Sequence, residues 1–116
     1  MSNKAIPDEV WTSERCYLAE LLNHEQTPEV SVARTRVEPG VTTALHSLSV
    51  AEWYVIEAGT GLMTVGKASP RRVAAGDAVA IPRGVAQNIR NDGDCDLLFL
   101  CVCAPRFSRE CYTSLE

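Results

Sequence analysis

Residues 40–61, GVTTALHSLSVAEWYVIEAGTG, hold the pattern on which the reading of this chain turns. Gly40 opens the stretch, and Gly59 and Gly61 close it. Within it, His46 stands six residues before Glu52. From Glu52 onward a two-residue period puts Glu52, Tyr54 and Ile56 on one strand face, and Trp53, Val55 and Glu57 on the other. His46 ends a preceding strand over 42–46, and the loop 47–51 is expected to make the two strands antiparallel neighbours. An imidazole and a carboxylate facing each other across such a pair can hold one cation or one substrate group. Leu48 occupies the position where a second histidine would complete a metal clamp.

Short segments of similar character run outward from this stretch. They cover 16–22, 29–37, 62–65, 71–75, 77–82, 86–91 and 96–105. Between them stand turn residues such as Gly76, Pro82-Arg83-Gly84 and Asn91-Asp92-Gly93-Asp94. Strand-like segments repeating at roughly 8–12 residues predict an all-β sandwich or barrel. Amphipathic helical periods are nearly absent, and only the tail, 105–116, is expected to form one short helical turn. No repeat or interdomain linker is visible, so the 116 residues read as one domain. Residues 1–10 read as a loose arm, with Trp11 pinning the chain to the body.

The composition narrows the partners. A net charge of −4 with no long run of one sign argues against nucleic acid and against an anionic membrane surface. No apolar run approaches the roughly 20 residues that span a bilayer. The start, Met1-Ser2-Asn3-Lys4, is polar and lacks the apolar core of a secretory signal. Five cysteines, at 16, 95, 101, 103 and 111, have no framework spacing and read as reduced thiols. A cytoplasmic protein is expected. Cys101 and Cys103 share one strand face and are a conceivable thiolate pair, but packing as small hydrophobes is the favoured reading.

Two spacings carry a family resemblance. Gly40, His46, Glu52 and Gly59 fall as G-x5-H-x-(H)-x3-E-x6-G. Gly76, Pro82, Gly84, Gln87 and Asn91 fall as G-x5-P-x-G-x2-(H)-x3-N. Together they resemble the two conserved motifs of the cupins, over residues from about 30 to 105. The resemblance implies a jelly-roll β-barrel with the glycines and the proline in turns, and with His46, Glu52 and Gln87 pointing inward. Metal-binding cupins usually offer three histidines and a glutamate. Here Leu48 stands for the second histidine and Gln87 for the third. Leucine cannot ligate, and a glutamine carbonyl is a weak neutral donor. The implied ligand set of His46, Glu52 and Gln87 would hold a divalent ion (zinc, nickel, manganese or iron) only weakly. The same resemblance makes His46 and Glu52 the catalytic candidates, as general acid and base or as holders of an ion that polarises a carbonyl.

A carboxylate facing a barrel interior needs a partner, and a metal, a charged His46, Arg34 and Arg36 are the candidates for Glu52. Gln87 is equally suited to bridging His46 and Glu52 by hydrogen bonds. Gln87, Tyr54 and Arg36 are candidate ligand-binding residues, Tyr54 being as readily a core aromatic. His24, in a polar loop, reads as a solvated surface residue. The expected function is binding of a small polar metabolite, of sugar or small carboxylate type, within the barrel. The alternatives are a metal-assisted isomerase, epimerase or lyase, rather than an iron dioxygenase, and a non-catalytic dimeric scaffold. A homodimer is expected because the apolar run 96–103 needs its edge and outer face covered.

Overall fold

The structure, a computed structural model, describes residues 9–116. Eleven strands run in chain order: β1 (Val10–Trp11), β2 (Tyr17–Leu22), β3 (Ser31–Val37), β4 (His46–Leu48), β5 (Ala51–Ala58), β6 (Thr60–Val65), β7 (Arg71–Ala74), β8 (Ala78–Ile81), β9 (Gln87–Arg90), β10 (Leu97–Ala104) and β11 (Tyr112–Ser114). A single 3-10 turn, Arg109–Cys111, precedes β11. The strands form two sheets, one ordered β1-β2-β3-β10-β5-β8 and the other β11-β4-β9-β6-β7. All strand pairings are antiparallel, as in a jelly roll. No helix among the described residues is long and apolar enough to cross a membrane.

Alternation along each strand decides what lies between the sheets. β5 buries Glu52, Tyr54 and Ile56 and leaves Trp53, Val55 and Glu57 outside, as its two-residue period predicts. On β3 the inward set is Ser31, Ala33, Thr35 and Val37, so Arg34 and Arg36 face out. The larger apolar cluster includes Val37, Ile56, Met63, Val73, Ile89, Leu97 and Phe99. Each such side chain contributes roughly 1.5–3 kcal/mol by leaving water. A smaller cluster joins Leu48, Val50, Cys103 and Cys111 to Phe107 and Tyr112.

Turn chemistry supports the barrel where the motifs place it. Gly59, with φ of 83°, links β5 to β6, and a Cβ there would stand 2.7 Å from the Asp96 carbonyl oxygen. Asn91 is fully buried and donates to the Val37 and Cys95 carbonyls while accepting from the Gly93 N–H. It is therefore a brace for the β9–β10 turn.

Three local expectations are corrected. Residues 42–46 form no strand; Thr42 makes one isolated bridge to Arg90, and His46 begins β4 rather than ending a strand. β4 and β5 lie in different sheets, so His46 and Glu52 are not neighbours on one antiparallel pair. Ser49 and Val50 carry the chain between the sheets, with the Ser49 N–H bound to the Cys111 carbonyl and Val50 buried. The tail forms its short turn but then adds β11, pairing Tyr112 with Leu48 and Ser114 with His46. At the other end, Val10 and Trp11 pair with β2, so the loose arm does not extend through residue 10. The rest of that arm, residues 1–8, lies outside the described residues. Trp11 rests edge-on against Tyr17, ring centroids 5.0 Å apart, and is 53% exposed.

Candidate functional site

A cavity of about 210 Å³ lies between the sheets, bordered by members of both apolar clusters. His46, Glu52 and Tyr54 line it, each on an inward position of its strand. His46 and Glu52 thus line one cavity from opposite sheets. The His46 Nδ1 lies 2.8 Å from the Ala44 carbonyl oxygen. A carbonyl can only accept, so Nδ1 carries the proton and, in the neutral ring, Nε2 carries the lone pair. The ring stacks on Tyr112 of β11, centroids 5.0 Å apart and planes inclined by 17°.

Glu52 is held from β9. Gln87 Nε2 donates to Glu52 Oε1 at 2.7 Å, and the Cys103 Sγ lies 3.8 Å from Oε2. Gln87 is also the register partner of His46 across β4 and β9. Its amide hydrogen-bonds Glu52 and makes no such bond to His46, which narrows the bridging expectation to one side. Gln87 is wholly buried and does not reach the cavity wall. Its Oε1 has no partner among the described residues. Burial pushes the Glu52 carboxyl above the ordinary carboxylate range; the Gln87 bond and His46 pull it partly back, while Glu14 adds to the rise. Tyr54 stacks on Phe99 at 4.4 Å, and burial lifts its phenol well above its usual value.

Glu14 carries no signal in the sequence, yet it lines the same cavity, with Oε1 3.5 Å from His46 Nδ1. It sits in the turn between β1 and β2, where Arg15 adopts a left-handed φ of 67°. The Ala44 N–H donates to the Glu14 carbonyl at 3.1 Å, and the Glu14 N–H donates to Thr12 Oγ1 at 3.2 Å. Arg15 fixes this turn from outside. Its guanidinium grips both carboxylate oxygens of Glu116 at 3.0 Å, and its Nε donates to the Thr42 carbonyl at 2.9 Å. Glu116 in turn accepts from the Leu45 N–H at 2.8 Å. Burial raises the Glu14 carboxyl above its ordinary value, and His46 opposes the rise.

Other candidates lie elsewhere. Arg36 is outside the cavity, bound to Glu9 at 3.1 Å and to Asp96 at 3.2 Å, with its guanidinium 4.2 Å above the Tyr17 ring. Arg34 pairs with Glu57 on the same outer face. Neither arginine is the partner of Glu52, because strand alternation turns both away. His24 is exposed, its Nδ1 accepting from the Gln26 N–H. Cys16, Cys101 and Cys103 line the cavity as free thiols. Burial pushes Cys16 to about 11, Cys103 to about 12, and Cys101 well above the usual thiol range. Such groups stay protonated and pack as small apolar side chains, not as a thiolate pair.

The match to known proteins is consistent with this barrel. The family model for the cupin domain matches residues 33–103. The chain is a cupin.

Similar solved structures include an uncharacterised conserved double-stranded β-helix protein from Klebsiella pneumoniae subsp. pneumoniae, at 18% identity and TM-score 0.77, covering 90% of this cupin and 88% of that chain. A predicted oxalate decarboxylase from Thermotoga maritima shares 27% identity at TM-score 0.74, covering 85% of this chain and 91% of that one. The oxalate decarboxylase of Lactobacillus farciminis shares 22% identity at TM-score 0.80, and this cupin spans only 33% of its length. No curated protein matches the sequence.

Among the described residues no three of histidine, cysteine, aspartate and glutamate stand together as metal ligands. Gln87 turns its amide donors toward Glu52, and Leu48 presents a hydrocarbon to the cavity. These residues do not fit a tightly held resident metal.

Proposed function

We propose that this cupin binds a small polar molecule inside its barrel without depending on a resident metal. The observation that carries this reading is the cavity between the sheets with polar groups, His46, Glu52 and Glu14, set into otherwise largely apolar walls. Pockets of that make-up suit a small metabolite, its apolar parts against the walls and its polar groups on a few fixed partners. The test is thermal denaturation against a panel of small polyols, amines and carboxylic acids, repeated on Ala33→Phe, which fills the cavity from β3. A ligand should raise the Tm of the natural chain in a concentration-dependent way and leave the filled variant unmoved. Equal shifts in both proteins, or none in either, would overturn the reading.

A second reading is proton transfer on the bound molecule, as in a sugar isomerase, an epimerase or a lyase. It is favoured by one observation: a carboxyl raised by burial and an imidazole face the same space. Glu52 would supply a proton to one atom of the substrate while His46 Nε2 takes one from another. Incorporation of solvent deuterium at carbon in a bound sugar, lost in Glu52→Gln, is the expected signature.

The assembly that suits this molecule is a homodimer formed through the outer face of the six-stranded sheet. Two rows of side chains support it, Val32–Val102–Trp53–Ala80 and Arg34–Leu100–Val55–Ala78. The Arg34–Glu57 ion pair on that face offers both signs of charge, so a second copy related by a twofold axis finds a complement for each. The five free thiols suit a reducing compartment, and the cytoplasm is the proposed location.

A further inference from the structure

We infer that the molecule this cavity admits is a small organic cation, an ammonium or guanidinium compound, and not a carboxylate. The inference rests on the reading of the barrel as a binding site. The carboxylates do not by themselves make that site; the cavity does, and they decide the charge of what enters.

Three carboxyl groups line the cavity, from Glu14, Glu20 and Glu52, and neither lysine nor arginine is among the lining residues. Glu20 is exposed at the rim and accepts from Asn23, whereas Glu14 and Glu52 lie deeper. The arginines of the neighbouring strand are spent elsewhere, Arg34 on Glu57 and Arg36 on Glu9 and Asp96. An anionic ligand would therefore find no lysine or arginine in the lining to compensate its charge, in a space where screening by water is weak. Oxalate, the acid in the names of two similar structures, is the extreme case.

The hydrogen-bonding inventory leans the same way. Glu14 and Glu52 offer carboxyl oxygens, and His46 has its Nδ1 occupied by the Ala44 carbonyl. The complement of two buried carboxyl groups is a ligand that carries N–H groups or diffuse positive charge. The rings of Tyr54, Phe99, Phe107 and Tyr112 also line the walls. Aromatic walls favour a weakly hydrated organic cation over a small, strongly hydrated one. A volume of about 210 Å³ takes a trimethylammonium or guanidinium head with a short chain.

The test uses choline and its uncharged tert-butyl isostere, in which carbon replaces the nitrogen, with oxalate and glycerol as anionic and neutral controls. Calorimetric titration of the natural chain should give choline at least about tenfold tighter than the isostere, and no detectable heat from oxalate. Glu14→Gln and Glu52→Gln should each lower the affinity for choline far more than that for the isostere, and so remove most of that preference. Either variant serves if the other fails to fold, and far-UV spectra check both. Equal affinity for choline and the isostere, or tighter binding of oxalate or glycerol, overturns the inference and leaves the barrel as a binding site. Silence from all four probes, together with no stabilisation by any compound of the wider panel, removes the binding reading as well.

Discussion

Glu52 keeps a carboxyl group where ionisation is costly, and that cost has a pH signature. Its native value is raised above 4.5, so the native state favours the protonated form. The associated stability is fully present below the ordinary glutamate range and is lost as pH rises through the raised native value. Glu52→Gln retains an acceptor for Gln87 and removes the charge. It should stabilise the protein by about 1–2 kcal/mol at pH 7, a gain that shrinks toward pH 4 when urea midpoints are compared. Glu14 is shifted the same way, so the variant should keep part of the original slope. Leu48 answers a different question. It shares its strand face with His46, and both line the cavity. Leu48→His should raise zinc affinity by at least about tenfold in a chelator competition, at a stability cost of about 1–3 kcal/mol for a polar group in an apolar cluster. Alternation made Glu52 and Tyr54 legible, and the same rule sends Arg36 outward once Thr35 and Val37 are recognised as the buried pair around it. Glu14 was not legible, since a carboxylate in an isolated turn has neither period nor motif to mark it.

Among the elements, the motif turns were readable because glycine and asparagine do there what other residues cannot. Gly59→Ala would force a side chain into a left-handed backbone and against the Asp96 carbonyl, 2.7 Å away. A loss of about 2–4 kcal/mol is expected in chemical denaturation, well beyond an ordinary surface change. The pairing of strands was less readable. The loop expected over 47–51 reads as a hairpin connection in sequence, but it shortens to Ser49 and Val50 and carries the chain from one sheet to the other. Periodicity fixes the face a side chain occupies and is silent on which strand lies beside it. β11 was hidden for the same reason: its partner, β4, lies more than sixty residues earlier, and its own three residues have no strand signature.

For the whole molecule, dimerisation through the outer sheet face should appear in sedimentation as a single species of twice the chain mass. Trp53→Glu, which sets a charge at the centre of the apolar rows, should yield monomers that retain the β-rich spectrum. A natural chain that sediments as a monomer at high concentration would remove the proposed interface. The barrel itself was the most legible level, because two motifs, many turns and the strand period all agree. One wall of its cavity, however, is fastened by a contact between distant parts of the chain, Arg15 and Glu116, which meet in water. Attraction between such groups reaches about 10 Å at 0.1 M salt and only about 3 Å at 1 M. Ionic strength should therefore act on this protein as a latch control. Concentrated salt loosens the wall that carries Glu14 and speeds the exchange of whatever the barrel holds, while the core beneath it stays folded.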